Sequence, residues 1–276
     1  LTVREVIRKA SDSLRVSGVE NPMREAAFAL ASVLECSSAE VYIQQDITQN
    51  ELDRFEKIIS QRASGEPLQL ILGEWEFFGR RILLEKGVFV PRPETERLVE
   101  IVLERLDRDS AAFGFEFGVG SGAICVNILA ERPNIRMCGI DIEDAAIELT
   151  RKNAELYGVI DRIYLYSDEK SIECSSKFDF IVSNPPYVLS MEMKSLSREV
   201  MFDPVEALDG GSDGMESILK IVEIARRRLR PGGFLAMEIH EEMGSRVAEI
   251  LEDSLSSIEI LRDYNDRERY IVALRE

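Results

Sequence analysis

Chemistry is most legible at Asn184-Pro185-Pro186-Tyr187, which directly follows the apolar run Phe178 to Val182. The Asn184 side-chain oxygen and the Pro185 carbonyl are two acceptors that can grip both hydrogens of a planar NH2 group. Pro186 has no amide hydrogen and stiffens the loop, while Tyr187 offers an aromatic wall. A carboxylate or hydroxyl acceptor would satisfy this pair poorly. A second feature is Glu116-Phe117-Gly118-Val119-Gly120-Ser121-Gly122-Ala123, whose glycines remove the Cβ atoms that would hold a ligand away from the backbone and the next helix start. Alone it also fits the G-x-G-x-x-A pattern of dinucleotide sites, or a purely structural turn. The third is Asp141, ending the next apolar run, where an acidic side chain can accept both hydroxyls of a ribose. The three together favour a nucleoside-containing cofactor over a bare phosphate.

These residues need a frame, and the pattern supplies one. Val3, Val6, Ile7 and Ala10 fall at helical spacing; Asn21-Pro22 reads as cap and first turn for Met23 to Leu34; Leu52, Phe55, Ile58 and Ile59 repeat the period before Gly65. A helical domain over 1–73 follows. From Glu74 to Val90 the residues are β-prone, with Gly79-Arg80 between two runs, so 74–91 reads as a hairpin linker. Pro91 and Pro93 stop it, and Glu94 to Leu106 is helical again. Beyond Ser110 strands alternate with helices: strands at Ala112 to Phe117, Ile135 to Ile140, Ile163 to Tyr166, Phe178 to Val182 and Phe234 to Ile239, a helix at Met215 to Leu229, then Ile258 to Leu261 and Tyr270 to Leu274. That alternation predicts an α/β fold over 92–276: a doubly wound, mostly parallel sheet that binds ligands beyond the carboxyl ends of its strands.

Composition narrows the chemistry. With one histidine in 276 residues, His240, no two-His metal site can be built, and its place at a strand end suits a structural role. Cys36, Cys125, Cys138 and Cys174 have neither zinc-ligand spacing nor a C-x-x-C pair, so reduced thiols and no metal are expected. A formal charge of −17 opposes tight duplex binding. The dense basic cluster Arg226, Arg227, Arg228 and Arg230 closes a helix before Pro231-Gly232-Gly233, where the macrodipole favours cations. Apolar runs are strand-sized and no signal-peptide pattern opens the chain, so a cytoplasmic protein is expected, and a monomer.

Together these residues resemble the HemK-type release factor glutamine methyltransferases over nearly the whole chain. The family's order is present: a helical front, Leu72-Gly73-Glu74 before a hairpin, Val90-Pro91-Arg92-Pro93-Glu94-Thr95-Glu96, the Gly-rich turn, and Ser183 to Tyr187. Asn-Pro-Pro-Tyr alone is shared with adenine-amine DNA methyltransferases; the Pro-Arg-Pro-Glu-Thr-Glu segment separates them, and also the ribosomal-protein glutamine methyltransferases. The resemblance implies a seven-stranded Rossmann-like domain, S-adenosylmethionine as methyl donor with S-adenosylhomocysteine as product, and the glutamine of a release factor's Gly-Gly-Gln motif as acceptor. It implies that Gly118, Val119, Gly120, Ser121 and Gly122 lie along the methionine part and ribose, and that Asp141 holds the ribose. Glu116, where the family usually has Asp, would meet the methionine ammonium; Val119 stands where Thr is common. Asp168 and Glu169 would lie on the adenine side, in a stretch without the family's usual aromatic residue. Phe89 to Arg92 would close the cofactor site, with Asn184 bordering it. Asn184, Pro185, Pro186 and Tyr187 would hold the glutamine, and the helical domain would engage the protein substrate. Rival readings are an adenine-amine nucleic-acid methyltransferase, a ribosomal-protein glutamine methyltransferase, a dinucleotide-dependent oxidoreductase, and a non-catalytic module that keeps the cradle.

Overall fold

The computed structural model describes residues 2–44, 46–172 and 177–276. Cys174 and most of the polar segment Ser171 to Lys177 lie outside the described residues, as does Leu1. The chain separates into two compact units: the chain up to Trp75 with Ser197–Phe202, and Glu76–Leu196 with Asp203–Glu276. Sequence patterning had assigned Ser197–Phe202 to 92–276.

The first unit contains α1 (Val3–Val16), α2 (Pro22–Val33), α3 (Gln49–Ala63) and α4 (Leu68–Leu72). Capping boxes at Thr2 with Glu5 and Thr48 with Glu51 satisfy orphan amides at the starts of α1 and α3. Asn21 makes no side-chain cap bond, and Pro22 alone serves the expected start of α2. Val6, Ile7, Leu14, Ala26, Leu30, Phe55 and Ile59 form the core. Arg62, buried on α3, pairs with Glu25 of α2 and with Glu199, which holds Ser197–Phe202 to this unit.

β1 (Glu74–Phe77) and β2 (Arg80–Leu83) form a two-stranded sheet. Its turn is Phe78-Gly79, with φ of 53° and 69°, one residue earlier than expected; a two-residue hairpin turn of this type needs positive φ at both positions. Val88 to Val90 is not a strand, although its residues are β-prone. The Val90 N–H donates instead to Asp203 Oδ1 at 3.0 Å.

In the second unit, α5 (Thr95–Glu104) leads into β3 (Phe113–Phe117), α6 (Ala123–Glu131), β4 (Arg136–Ile140), α7 (Asp144–Leu156), β5 (Ile163–Tyr166) and β6 (Phe178–Ser183). There follow α8 (Glu216–Arg228), β7 (Leu229–Glu238), α9 (Gly244–Glu252), β8 (Ser256–Arg262) and β9 (Glu268–Leu274). The seven-stranded sheet runs β5-β4-β3-β6-β7-β9-β8, parallel except for β9, which is antiparallel to both neighbours. The central strands are apolar along their length because helices cover both faces. Phe115, Phe178, Ile181, Leu235 and Met237 pack with α8 and α9 through Ile218, Ile221, Val247 and Leu251. Chain order reverses between β3 and β6, which places the switch point where β3 and β6 end side by side.

Two boundaries differ from expectation. Pairing with β6 begins already at Leu229, so Pro231-Gly232-Gly233 is a bulge inside β7 rather than the break before it. Arg230 therefore leaves the helix end and pairs with Asp179 at 2.6 Å, while Arg226, Arg227 and Arg228 do occupy the last turn of α8. Glycine is also required inside β3: a Cβ at Gly114 would lie 2.2 Å from the Phe180 ring, which stacks on Phe234. Gly114→Ala is expected to destabilise the protein by about 1–3 kcal/mol through overpacking. An unshifted denaturant midpoint would contradict this packing.

Candidate functional site

The site is built where β3, β4 and β6 end. Ser183 Oγ donates to the Phe117 carbonyl at 2.7 Å, tying the last residue of β6 to the last residue of β3. Gly118 and Asn184 follow one residue later on each side, so the Gly-rich turn and the Asn-Pro-Pro-Tyr loop leave the sheet as neighbours.

The Gly-rich turn is held open from below. Gly118 and Val119 N–H donate to the Ile140 carbonyl, and Gly122 N–H to the Val119 carbonyl. From α7, Thr150 Oγ1 donates to the Gly120 carbonyl at 3.0 Å and Asn153 Nδ2 to the Ser121 carbonyl at 2.8 Å. Gly118 and Gly120 have φ of 74° and 53°, and a Cβ on either would meet no heavy atom within 4 Å. Both thus border open space that a side chain would fill. At Gly122, by contrast, a Cβ would press on Thr150 at 2.9 Å, so this glycine serves packing against α7. Ser121 is buried, and Val119 turns inward over Gly139, leaving its backbone rather than its side chain to face a ligand.

Asp141 joins the β4 end to this turn. Its Oδ2 accepts from Gly120 N–H at 2.9 Å and its Oδ1 from Glu143 N–H at 3.1 Å, and with the Ile142 amide also turned to it the carboxylate still has acceptor capacity left. Burial pushes its carboxyl up, against the lowering by these amides. Glu116 lies buried on β3 and accepts from Cys125 N–H at 3.1 Å, near the start of α6. Burial pushes its carboxyl up to about 8, and nearby Asp141 adds to the rise.

This raised value has a linkage consequence. A carboxyl whose folded value lies above its ordinary 4.5 favours the protonated folded state. The resulting penalty is absent below 4.5, grows as pH rises, and is complete above about 8. Glu116→Gln should therefore stabilise the ligand-free protein progressively between pH 5 and pH 9, by on the order of 5 kcal/mol at the alkaline end. Denaturant melts of both proteins across that range check it; a pH-independent difference would contradict the assignment.

The Asn-Pro-Pro-Tyr loop is anchored to α5 and to the end of β7. Asn184 Nδ2 donates to Thr95 Oγ1 at 3.0 Å, and Thr95 Oγ1 donates to Glu238 Oε2 at 2.8 Å. Tyr187 OH faces Glu238 Oε1 at 3.4 Å, and its ring tilts against His240 at 6.1 Å, which gives that histidine a packing role. Burial and Glu238 raise the Tyr187 phenol, so it stays protonated. Past Tyr187, Val188 pairs with Asp209, and Gly210 comes so close that a Cβ would sit 2.7 Å from Tyr187 Cα.

Phe89 and Arg92 stand together ahead of α5. The Arg92 guanidinium lies 4.9 Å from the Phe89 ring centroid and pairs with buried Asp203. Asp168 and Glu169 both bond protein groups after β5. Both Glu169 oxygens are engaged by Arg227, and one also by Arg228, at the end of α8. Asp168 Oδ1 caps the short turn Glu169–Ser171. Among the described residues there is no cluster of His, Cys, Asp and Glu that could hold a metal, and no helix long and apolar enough to cross a membrane.

Sequence reading missed Thr95, Glu238, Asp203 and the Asp209-Gly210 support. One signal was available: Glu238 is an acid inside the apolar run Phe234 to Ile239, at the carboxyl end of a parallel strand.

Residues 5–73 match the family described as PrmC N-terminal domain, and residues 80–213 the methyltransferase small domain. The chain is 36% identical over 276 residues to a release factor glutamine methyltransferase of Aquifex aeolicus (strain VF5), covering 99% of this chain and 95% of that protein. It is 36% identical over 245 residues to the MTRF1L release factor glutamine methyltransferase of Homo sapiens, covering 82% and 72%. Among solved structures, a ribosomal protein L11 methylase from Lactobacillus delbrueckii subsp. bulgaricus shares the fold at a TM-score of 0.51 and 19% identity, over 71% of this chain and 85% of that one.

Proposed function

The chain belongs to the family of release factor glutamine methyltransferases, and on that premise we propose that it transfers a methyl group from S-adenosylmethionine to the side-chain nitrogen of the glutamine in a release factor's Gly-Gly-Gln motif. The observation that carries this reading is the Ser183 to Phe117 hydrogen bond, which sets the cradle and the amide grip side by side. The residues present fit the cofactor. Gly118 and Gly120 border open space, Asp141 keeps acceptor capacity for ribose hydroxyls, and the buried Glu116 carboxyl, protonated without a ligand, ionises against the methionine ammonium when that cation is bound. Val119, Ser121 and Gly122 contribute backbone to the same cradle, Asp168 is kept on the adenine side, and Phe89 with Arg92 flanks the entrance. Residues 1–73 engage the release factor.

When bound, S-adenosylmethionine supplies an electrophilic methyl on a sulfonium. The protein must make a poor nucleophile attack it, because the amide lone pair is delocalised into the carbonyl. Asn184 Oδ1 and the Pro185 carbonyl accept the two N–H hydrogens and hold the nitrogen at the rim of the cradle. Alignment of this kind supplies several kcal/mol of barrier lowering. Both acceptors strengthen as positive charge builds on nitrogen. Pro186 stiffens the loop, and Tyr187, fixed by Glu238, walls the planar amide. An N-protonated amide is a strong acid, so no histidine base is needed.

Three separate reactions with methyl-labelled cofactor test the substrate class: release factor, duplex DNA and ribosomal protein. Label is expected on the release factor alone. Label on DNA would promote the adenine-amine reading, which the −17 charge opposes.

A further inference from the structure

Asn184 can grip an NH2 group only if its amide is turned the right way round. Its two ends are nearly isosteric, so nothing in its shape prevents a half-turn that would present NH2 to NH2. The hydrogen bonds behind it decide the matter. Glu238, as a carboxylate, only accepts, so the single Thr95 hydroxyl proton must point to Glu238 Oε2. The Thr95 oxygen is then left as an acceptor, and the Asn184 end facing it must be Nδ2. Oδ1 is thereby turned to the opposite side.

We propose that Thr95 and Glu238 are positioning residues for methyl transfer, forming a one-directional hydrogen-bond chain that fixes the Asn184 amide with its oxygen toward the acceptor. The proposal rests on the reading of Asn184 as the amide grip and adds what sets its orientation. Both residues are almost fully buried, at 3% and 2% exposure, so water does not compete for these bonds. A buried chain with every member satisfied holds one arrangement.

The chain has a direction that protonation can reverse. Glu238 is faced by Thr95 of α5 and Glu94 just before it, by Tyr187 from the loop after β6, and by Arg269 and Tyr270 from β9, with Asp263 paired to Arg269. Burial, with a smaller push from Glu94, raises its carboxyl to about 7, against the lowering by Thr95, Arg269 and Tyr187. Protonated Glu238 can donate to Thr95, whose own proton then points to Asn184 and favours the inverted amide. Productive grip is thus lost as pH falls through this value.

The test compares wild type, Thr95→Val, Thr95→Ser and Glu238→Gln at saturating cofactor. Thr95→Val is expected to lower kcat/KM for a release factor by about 10²-fold, the scale of a misplaced reacting group. It should also weaken binding of that release factor to the S-adenosylhomocysteine complex, measured by calorimetry. Thr95→Ser, which keeps the hydroxyl, should restore both to within about threefold of wild type, given a smaller packing loss. The acid limb of the kcat/KM profile should vanish in Glu238→Gln. Equal losses in the Val and Ser variants would indicate packing alone and overturn the proposal. So would an acid limb that persists in Glu238→Gln, or a Val variant within twofold of an active wild type. A wild type inactive on the release factor would instead overturn the functional reading.

Discussion

Replacing Asn184 with alanine is expected to reduce methyl transfer by on the order of 10²–10³-fold while leaving cofactor affinity within a few-fold of wild type. The asymmetry follows from position. Asn184 stands beyond β6, and among the described residues its side-chain hydrogen bond runs back to Thr95 of α5 rather than to the Gly-rich turn. Loss of the amide removes one of two acceptors on the reacting nitrogen and leaves Gly118 to Gly122 and Asp141 untouched. Steady-state rates with a release factor, beside calorimetric titration of the cofactor, separate the two quantities. Turnover that survives in the variant would remove the grip from the mechanism.

The opposite pattern is expected of Asp141→Ala, with cofactor affinity lowered about 10²-fold and the residual rate at saturation much less affected. Asp141 has two duties here. It accepts from Gly120 and Glu143 amides and so shapes the turn, and it offers its remaining lone pairs to the ribose. Charge-assisted hydrogen bonds of this kind contribute about 1.5–3 kcal/mol each, which sets the scale of the loss. Asp141→Asn, which keeps an acceptor for the Gly120 amide, should fall between. Unchanged affinity in Asp141→Ala would withdraw the ribose assignment.

The parts of the site that could be read from residues alone are those marked by local backbone chemistry. Glycines at 118, 120 and 122, the proline pair at 185 and 186, and the acid ending β4 each announce a strand end. Strand and helix alternation then places those ends on one edge. What could not be read is held by pairs distant in the chain. Thr95 and Glu238 are 143 residues apart, and Val90 and Asp203 are 113 apart. Their partnership exists only after the sheet has formed. The same cause explains the local errors. Val88 to Val90 has strand composition, but its amide is taken by Asp203 rather than by a neighbouring strand. Pro231-Gly232-Gly233 reads as a terminator, yet pairing of Leu229 with Phe178 carries β7 across it as a bulge.

The decisive measurement is peptide mapping by mass spectrometry of a release factor incubated with this protein and S-adenosylmethionine. One added methyl on the Gly-Gly-Gln glutamine, absent when Asn184→Ala replaces the wild type, is the predicted result. A methyl located on any other residue, or an unmodified release factor beside a methylated nucleic acid, would contradict the account.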